Sequence, residues 1–418
     1  MANTERVHAL DALRAFALLS GVLLHSTLSY VLPGGAWAVG TTHPAAFPTW
    51  LVAYLHAFRL ETFFLLAGFF GALVVANRGM GIYLRDRAKR IVLVFIVAIY
   101  PMKLLLTALW FAGGRETGWF RVPPQIASRS SIELAGWSVF HESWHGFILT
   151  HLWFLYYLGW IIGLFVALRW LALRLVTSAS VRSAANRLLY RLMASPVGAL
   201  VLALAILPAL ALGAPELMYK SLSPKIPTLV HYGLFFGLGW WLYRNADLLR
   251  IFARHCIPLL LLGLGASIIV IWVRYRYAGT PWVQDTELRL FILFASSLTT
   301  AASVLGWLGC FVRYVARPSP AVRYVADGSY WIYVMHLPIV VALQVWWAGL
   351  LLPWWIQVPL INIITLGLLL FIYRWAVRPT WVGAWLNGKR LPPGRLRAEQ
   401  VRTTTAESAR AARASAGS

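Results

Sequence analysis

About ten apolar runs, each long enough to cross a bilayer as a helix, dominate this sequence and leave room for few folds. They lie near residues 11–31, 50–76, 91–112, 148–172, 197–213, 228–243, 257–273, 289–312, 328–350 and 354–377. Lipid offers a spanning backbone no hydrogen-bond partners, so an all-α polytopic membrane bundle of about ten helices is expected. The composition agrees: 60% of the 418 residues are hydrophobic and 12% charged, whereas soluble domains carry roughly 25% charged residues.

The charges that remain are strongly biased, with 37 Lys and Arg against 14 Asp and Glu and a formal net charge of +23. They crowd the loops between apolar runs rather than forming a groove-reading module, so no nucleic-acid partner is expected. The loops after the second, fourth, sixth and eighth runs carry Arg78, Arg85, Arg87, Lys89 and Arg90, then Arg169, Arg174, Arg182, Arg187 and Arg191, then Arg244, Arg250 and Arg254, then Arg313, Arg317 and Arg323. The positive-inside rule makes these loops and both termini cytoplasmic. A transmembrane domain is expected over 1–379. A basic cytoplasmic tail follows over 380–418, largely disordered from about Ala398. The segment Val181 to Met193 reads as a basic amphipathic helix on the inner membrane surface. The longest outer loop, Gly113 to Phe147, has the length and polar content of a lid or acceptor-binding surface.

Polar side chains inside the runs are the candidates for chemistry, because hydrocarbon penalises them. In the first run, LDALRAFALLSGVLLHSTLSY, Arg14 and His25 stand eleven positions apart. On a helix they fall within about 20° of one another and about 16 Å apart along the axis. That stripe is expected to line a reaction path, with His25 as acid/base and Arg14 holding an anionic partner. In the second run, HAFRLETFFLLAGFF, Arg59 shares the face of His56, and the depth of His56 lets it meet His25. Glu61, the third catalytic candidate, points elsewhere and must find a partner on another helix, either in an interhelical pair that fixes packing or in the chemistry. His151 in THLWFLYYL and His336 in YWIYVMHLPIV complete the substrate-binding candidates, each with a bland alternative: a wet interfacial anchor for His151 and a core imidazole on a backbone carbonyl for His336. Lys103 either occupies a polar interior or snorkels.

Several familiar sites are missing: no GxSxG elbow, no GxxxxGK[ST] loop and no HExxH. Cys256 and Cys310 lie far apart without metal-ligand or redox spacing, so neither a metal site nor a disulfide framework is expected.

In order along the chain, RVHALDALRAFALLSGVLLH, HAFRLETFFLLAGFF, HLWFLYYL and SYWIYVMHLPIV resemble acyltransferase family 3 of bacterial inner-membrane enzymes. Within that family they resemble the glucan biosynthesis protein C branch, associated with O-acylation, notably succinylation, of periplasmic glucans. The resemblance runs from about residue 6 to 377. Two departures stand out: Ala67 where a serine commonly precedes the glycine of the FFxxxGFF stretch, and Leu60 after Arg59 where methionine is frequent.

This resemblance implies that Arg14 and His25 are the functional pair. It also implies transfer of an acetyl or succinyl group from cytoplasmic acyl-CoA to a hydroxyl of an extracytoplasmic carbohydrate. Acyl-CoA is then a co-substrate, with no permanently bound cofactor. Arg85, Arg87, Lys89 and Arg90 are the candidates for the donor's phosphates. No SGNH-type esterase region follows the membrane part, so the glycan acceptor falls to that part or to envelope biosynthesis partners. The sequence leaves open whether His25 acts directly as base or as a covalent acyl relay. The competing reading is a proton-coupled secondary transporter or exporter using His25, Glu61 and Arg59, although no internal repeat of the kind such carriers show is found.

Overall fold

The computed structural model describes residues 3–31, 37–40, 43–117, 128–142, 147–176, 178–213, 221–280, 284–315, 317, 319–350 and 352–387. Among these the chain is helical, with one isolated bridge between Ile148 and Ser221 and no strand. The elements are α1 (Asn3–Thr27), α2 (Ala46–Arg78), α3 (Met80–Thr117), α4 (Ser131–His141), α5 (Trp153–Leu175), α6 (Ala179–Ala194), α7 (Gly198–Leu212) and α8 (Ile226–Arg244). They continue as α9 (Cys256–Arg276), α10 (Thr286–Tyr314), α11 (Pro320–Trp346), α12 (Trp354–Ile372) and α13 (Trp381–Asn387). Eight spans among the described residues are long and apolar enough to cross a membrane, or nine if α6 and α7, bent by 111°, count as one.

The expected spans near 197–213 and 228–243 are the less regular ones. The first is α7, only 15 residues long and joined to α6 at the bend. The second is α8, 19 residues that carry His231 and Tyr232 inside the bundle. The expected amphipathic segment is α6, where Leu188 and Leu189 are exposed beside Arg187 and Arg191. The tail begins with α13; residues 388–418, which include the stretch from about Ala398 where disorder is expected, lie outside the described residues.

Local chemistry sets the ends and bends. After α2 the chain turns at Gly79, whose φ of 82° suits a residue without a side chain, and reverses directly into α3. Pro101, Pro208, Pro338 and Pro359 sit within helices α3, α7, α11 and α12, each removing one backbone donor from its helix. One π turn, Ala88–Val92, interrupts α3 at its basic end and carries Lys89 and Arg90. Of the expected outer lid, 118–127 and 143–146 lie outside the described residues. Its described residues include α4, opened by a capping box in which Ser130 Oγ accepts from the Glu133 amide. Reciprocal bonds from Ser130 hold the exposed Glu133 carboxyl below its usual range.

Two contacts fix the frame around the site. Helices α2 and α8 meet backbone to backbone: a Cβ on Gly68 would strike the Phe236 carbonyl, and one on Gly239 would strike that of Leu65. Small residues give membrane helices this closeness, since lipid supplies no hydrophobic drive between them. Across the bundle, Phe16 of α1 packs against Trp307 and Phe311 of α10, with ring centroids 4.6 and 5.2 Å away. The first contact joins α2 to α8 and the second joins α1 to α10.

Candidate active site

From Asp11 onward each turn of α1 presents one residue to a single cavity of about 1970 Å³, Asp11, Arg14, Leu18, Gly21 and His25, and Leu28 of the 3-10 turn that follows continues the row. The alternation of three and four residues keeps these on one helix face, and seventeen residues of rise carry the face about 26 Å, close to a hydrocarbon core's thickness. The expected stripe from Arg14 to His25 is therefore one wall of a continuous space. Opposite it, His56, Arg59, Phe63, Ala67 and Phe70 of α2 line the same cavity, as do Tyr330, Tyr333 and His336 of α11.

Near the end of α1, His25 is clasped on two sides. The Trp37 indole lies parallel to it, with ring centroids 5.7 Å apart and planes at 13°. On the other side stands His336, its ring centroid 5.3 Å away, and His151 follows 5.6 Å beyond that. Gln344 ties the arrangement together. Its amide nitrogen donates to the carbonyls of His25 and Ser26, both at 3.1 Å, while its oxygen accepts from Trp37 Nε1 at 2.9 Å. His56 lines the same cavity on the facing helix. The structure thus brings His25, His56, His151 and His336 to one chamber.

Neither bland alternative holds in full. His151 is buried rather than wet, with Nε2 3.0 Å from the Val334 carbonyl. His336 does donate through Nδ1 to backbone carbonyls, of Tyr333 at 2.8 Å and Ile332 at 3.1 Å, yet its other nitrogen is left for the chamber. Among the described residues no group of three or more His, Cys, Asp or Glu is placed to hold a metal ion.

Arg59 and Glu61 part company, as their angular separation on α2 requires. Glu61 turns to α8, where its Oε1 and His231 Nε2 lie 3.0 Å apart, both side chains buried. Expected among the catalytic groups, it lines the cavity together with this partner and joins two helices, while its Oε2 has no hydrogen-bond partner among the described residues. Arg59 is also buried but forms no ion pair among the described residues, and its Nε has no hydrogen-bond partner. Its guanidinium rests against Gly21, one turn of α1 from His25.

At the other end of the cavity Arg14 is held by three groups: Asp11 Oδ1 at 3.2 Å, the Ala326 carbonyl at 3.2 Å, and the Phe70 ring beneath its guanidinium at 5.7 Å. Arg87 and Arg90 join it as lining residues, both paired with Asp86 at 3.2 and 2.8 Å. Arg85 and Lys89 are exposed and outside the cavity lining. Four basic candidates thus divide into two that face the cavity and two that do not. Lys103 takes the interior option, paired with Glu142 and donating to the Ile148 carbonyl at 3.2 Å.

The sequence reading missed Trp37, Gln344, His231 and Tyr333, whose hydroxyl bonds the His151 carbonyl at 2.8 Å. His231 and Gln344 carry the signal that singled out His336, a polar side chain within an apolar run. Trp37 carries none, because tryptophan is common at membrane boundaries.

An acyltransferase domain family, acyltransferase 3, matches residues 7–374. The chain belongs to that family. It is a multi-pass membrane acyltransferase, and the matched span contains the whole cavity wall of α1, α2 and α11. Among curated relatives of this acyltransferase 3 protein are the glucans biosynthesis protein C chains of Salmonella paratyphi A, Salmonella typhi and Salmonella typhimurium. Each is 24% identical over 349 residues, covering 80% of this chain and 82% of the relative. No solved structure matches.

Proposed function

We propose that the protein transfers an acyl group, acetyl or succinyl, from acyl-CoA on the cytoplasmic side to a hydroxyl of an extracytoplasmic glucan in the bacterial inner membrane. The observation that carries the reading is Arg59, a buried cation that forms no ion pair among the described residues, lining a membrane cavity one turn of α1 from an imidazole. A charge in that position requires a counter-charge. The oxyanion that develops on a thioester carbonyl under attack would supply it.

The remaining groups fall into place around that step. Phosphates of the donor sit at Arg87 and Arg90, with Arg14 beside them, and the pantetheine arm runs along the α1 stripe toward His25. The acceptor hydroxyl gives its proton to the His25 imidazole as its oxygen attacks the carbonyl carbon. The C–S bond breaks, and the thiolate leaves with the proton that His25 returns. His56 and His151 border the acceptor. Glu61 keeps Arg59 in place by anchoring α2 to α8. The glucan is taken from the names of the curated relatives, and the orientation from the arginine-rich loops.

The test is purified protein in liposomes, given acyl-CoA labelled in the acyl group on the basic-loop side and a glucan on the other. Label on the glucan, with the transferred mass reporting acetyl or succinyl, is expected, and its loss in a folded His25→Ala protein. Undiminished labelling by that variant, or passage of unmodified glucan through the bilayer, would overturn the proposal in favour of another base or of a carrier.

A further inference from the structure

Among the buried nitrogen atoms lining the chamber that lack a hydrogen-bond partner among the described residues are Nδ1 of His25 and Nε2 of His336. Their rings are neighbours, 5.3 Å between centroids, and both border the cavity. The protonation of one follows from its surroundings. Nδ1 of His336 faces two carbonyl oxygens, Tyr333 at 2.8 Å and Ile332 at 3.1 Å, which only an N–H can satisfy. In the neutral ring Nε2 is then a lone-pair acceptor, buried at a cost unless a donor comes to it. His25 can supply that donor by carrying its proton on Nδ1, through a small ring rotation or one intervening water. The Trp37 face parallel to His25 opposes large tilts of its ring.

We infer that His336 is the positioning residue of the transfer: its Nε2 accepts from His25 Nδ1–H and holds His25 in the tautomer whose Nε2 is the free base. His336 plays toward His25 the part that a buried acceptor plays toward a catalytic imidazole in general, fixing both tautomer and ring angle. Its own register is set by the i−3 and i−4 carbonyls of α11, so the dyad is built into helix geometry rather than into a loop. The kinetic consequence rests on the acyl-transfer reading above; the tautomer does not.

The experiment is nitrogen-15 magic-angle NMR of histidine-labelled protein in lipid bilayers, with the His25 signals assigned by their loss in His25→Gln. Protonated Nδ1 and bare Nε2 on His25 are expected in the native protein. His336→Leu removes the acceptor and should release His25 toward the Nε2–H form. In acyl transfer the same variant should lose on the order of 10²-fold in kcat, with both KM values within about twofold. His336→Gln, whose amide oxygen can accept, should recover at least about tenfold of that loss. A native His25 protonated on Nε2 overturns the inference, as does a folded His336→Leu protein with unchanged tautomer and kcat. Should the leucine variant not fold, the native and glutamine spectra decide. If no acyl transfer is found at all, the tautomer still decides this point separately from the proposed reaction.

Discussion

The guanidinium of Arg59 occupies the space that any side chain at position 21 would fill, because Gly21 turns its bare Cα toward it across the α1 and α2 contact. The collision from an added methyl falls on the end of a flexible side chain, so the protein yields by moving Arg59 rather than by parting helices. Gly21→Ala is therefore expected to lower kcat by about tenfold and Gly21→Leu by on the order of 10²-fold, as loss of an oxyanion-stabilising cation does. Thermal unfolding in detergent should change far less for the alanine variant than its rate does. Parallel loss of rate and folded protein would count against the assignment of Arg59.

Gly68 presents the opposite case. Its added Cβ would meet the Phe236 carbonyl and the Trp240 amide, backbone atoms that cannot step aside. Gly68→Ala should cost about 1–3 kcal/mol of stability, the usual penalty of overpacking, and widen the seam between α2 and α8. Gly233, on the same helix as Phe236, faces open space, so Gly233→Ala is the matched control and should be neutral or slightly stabilising. Unfolding midpoints of the two variants in one detergent compare them directly.

The same glycine shows what the sequence could tell. Gly68 stands out in the FFxxxGFF stretch, yet its reason, a carbonyl on a helix some 170 residues later, is a long-range contact. Helix existence was legible because apolar runs of this length have one solution in lipid. So was the α1 stripe, a matter of helical period alone. Pairings across helices were not: nothing in HAFRLE names His231 as the partner of Glu61, and nothing in the loop RDRAKR separates Arg87 and Arg90, which face the cavity, from Arg85 and Lys89, which do not. The π turn at Ala88–Val92 adds a residue to the turn and shifts the register that a 3.6-residue period assumes.

The pair of Glu61 and His231, 3.0 Å apart and buried from both sides, should behave as a unit. Removing either partner leaves the other buried without its hydrogen bond, so Glu61→Ala and His231→Ala are each expected to cost about 2–4 kcal/mol. The double variant should cost clearly less than their sum, a coupling of about 1–3 kcal/mol. Glu61→Gln keeps an acceptor for the imidazole and should retain most of the stability and of the activity, as expected for an anchor. Denaturation of the four proteins in mixed micelles provides the cycle, and a strictly additive result would show the two side chains to be independent.

Arg87 and Arg90 share Asp86 between them at 3.2 and 2.8 Å, which holds both guanidinium groups at the mouth of the cavity instead of leaving them free in solvent. A preformed cationic pair of this kind binds phosphate through charge-assisted hydrogen bonds, whereas a solvated lysine contributes little. Arg87→Ala and Arg90→Ala are thus expected to raise KM for acyl-CoA by about tenfold while kcat changes by less than about threefold. Arg85→Ala and Lys89→Ala, at exposed positions outside the lining, should leave both constants within about twofold. Because the pair is only half-buried, added salt should weaken donor binding in the native protein more steeply than in either arginine variant. Initial rates at several acyl-CoA and salt concentrations measure this, and equal effects from all four substitutions would move the donor's phosphates away from the cavity mouth.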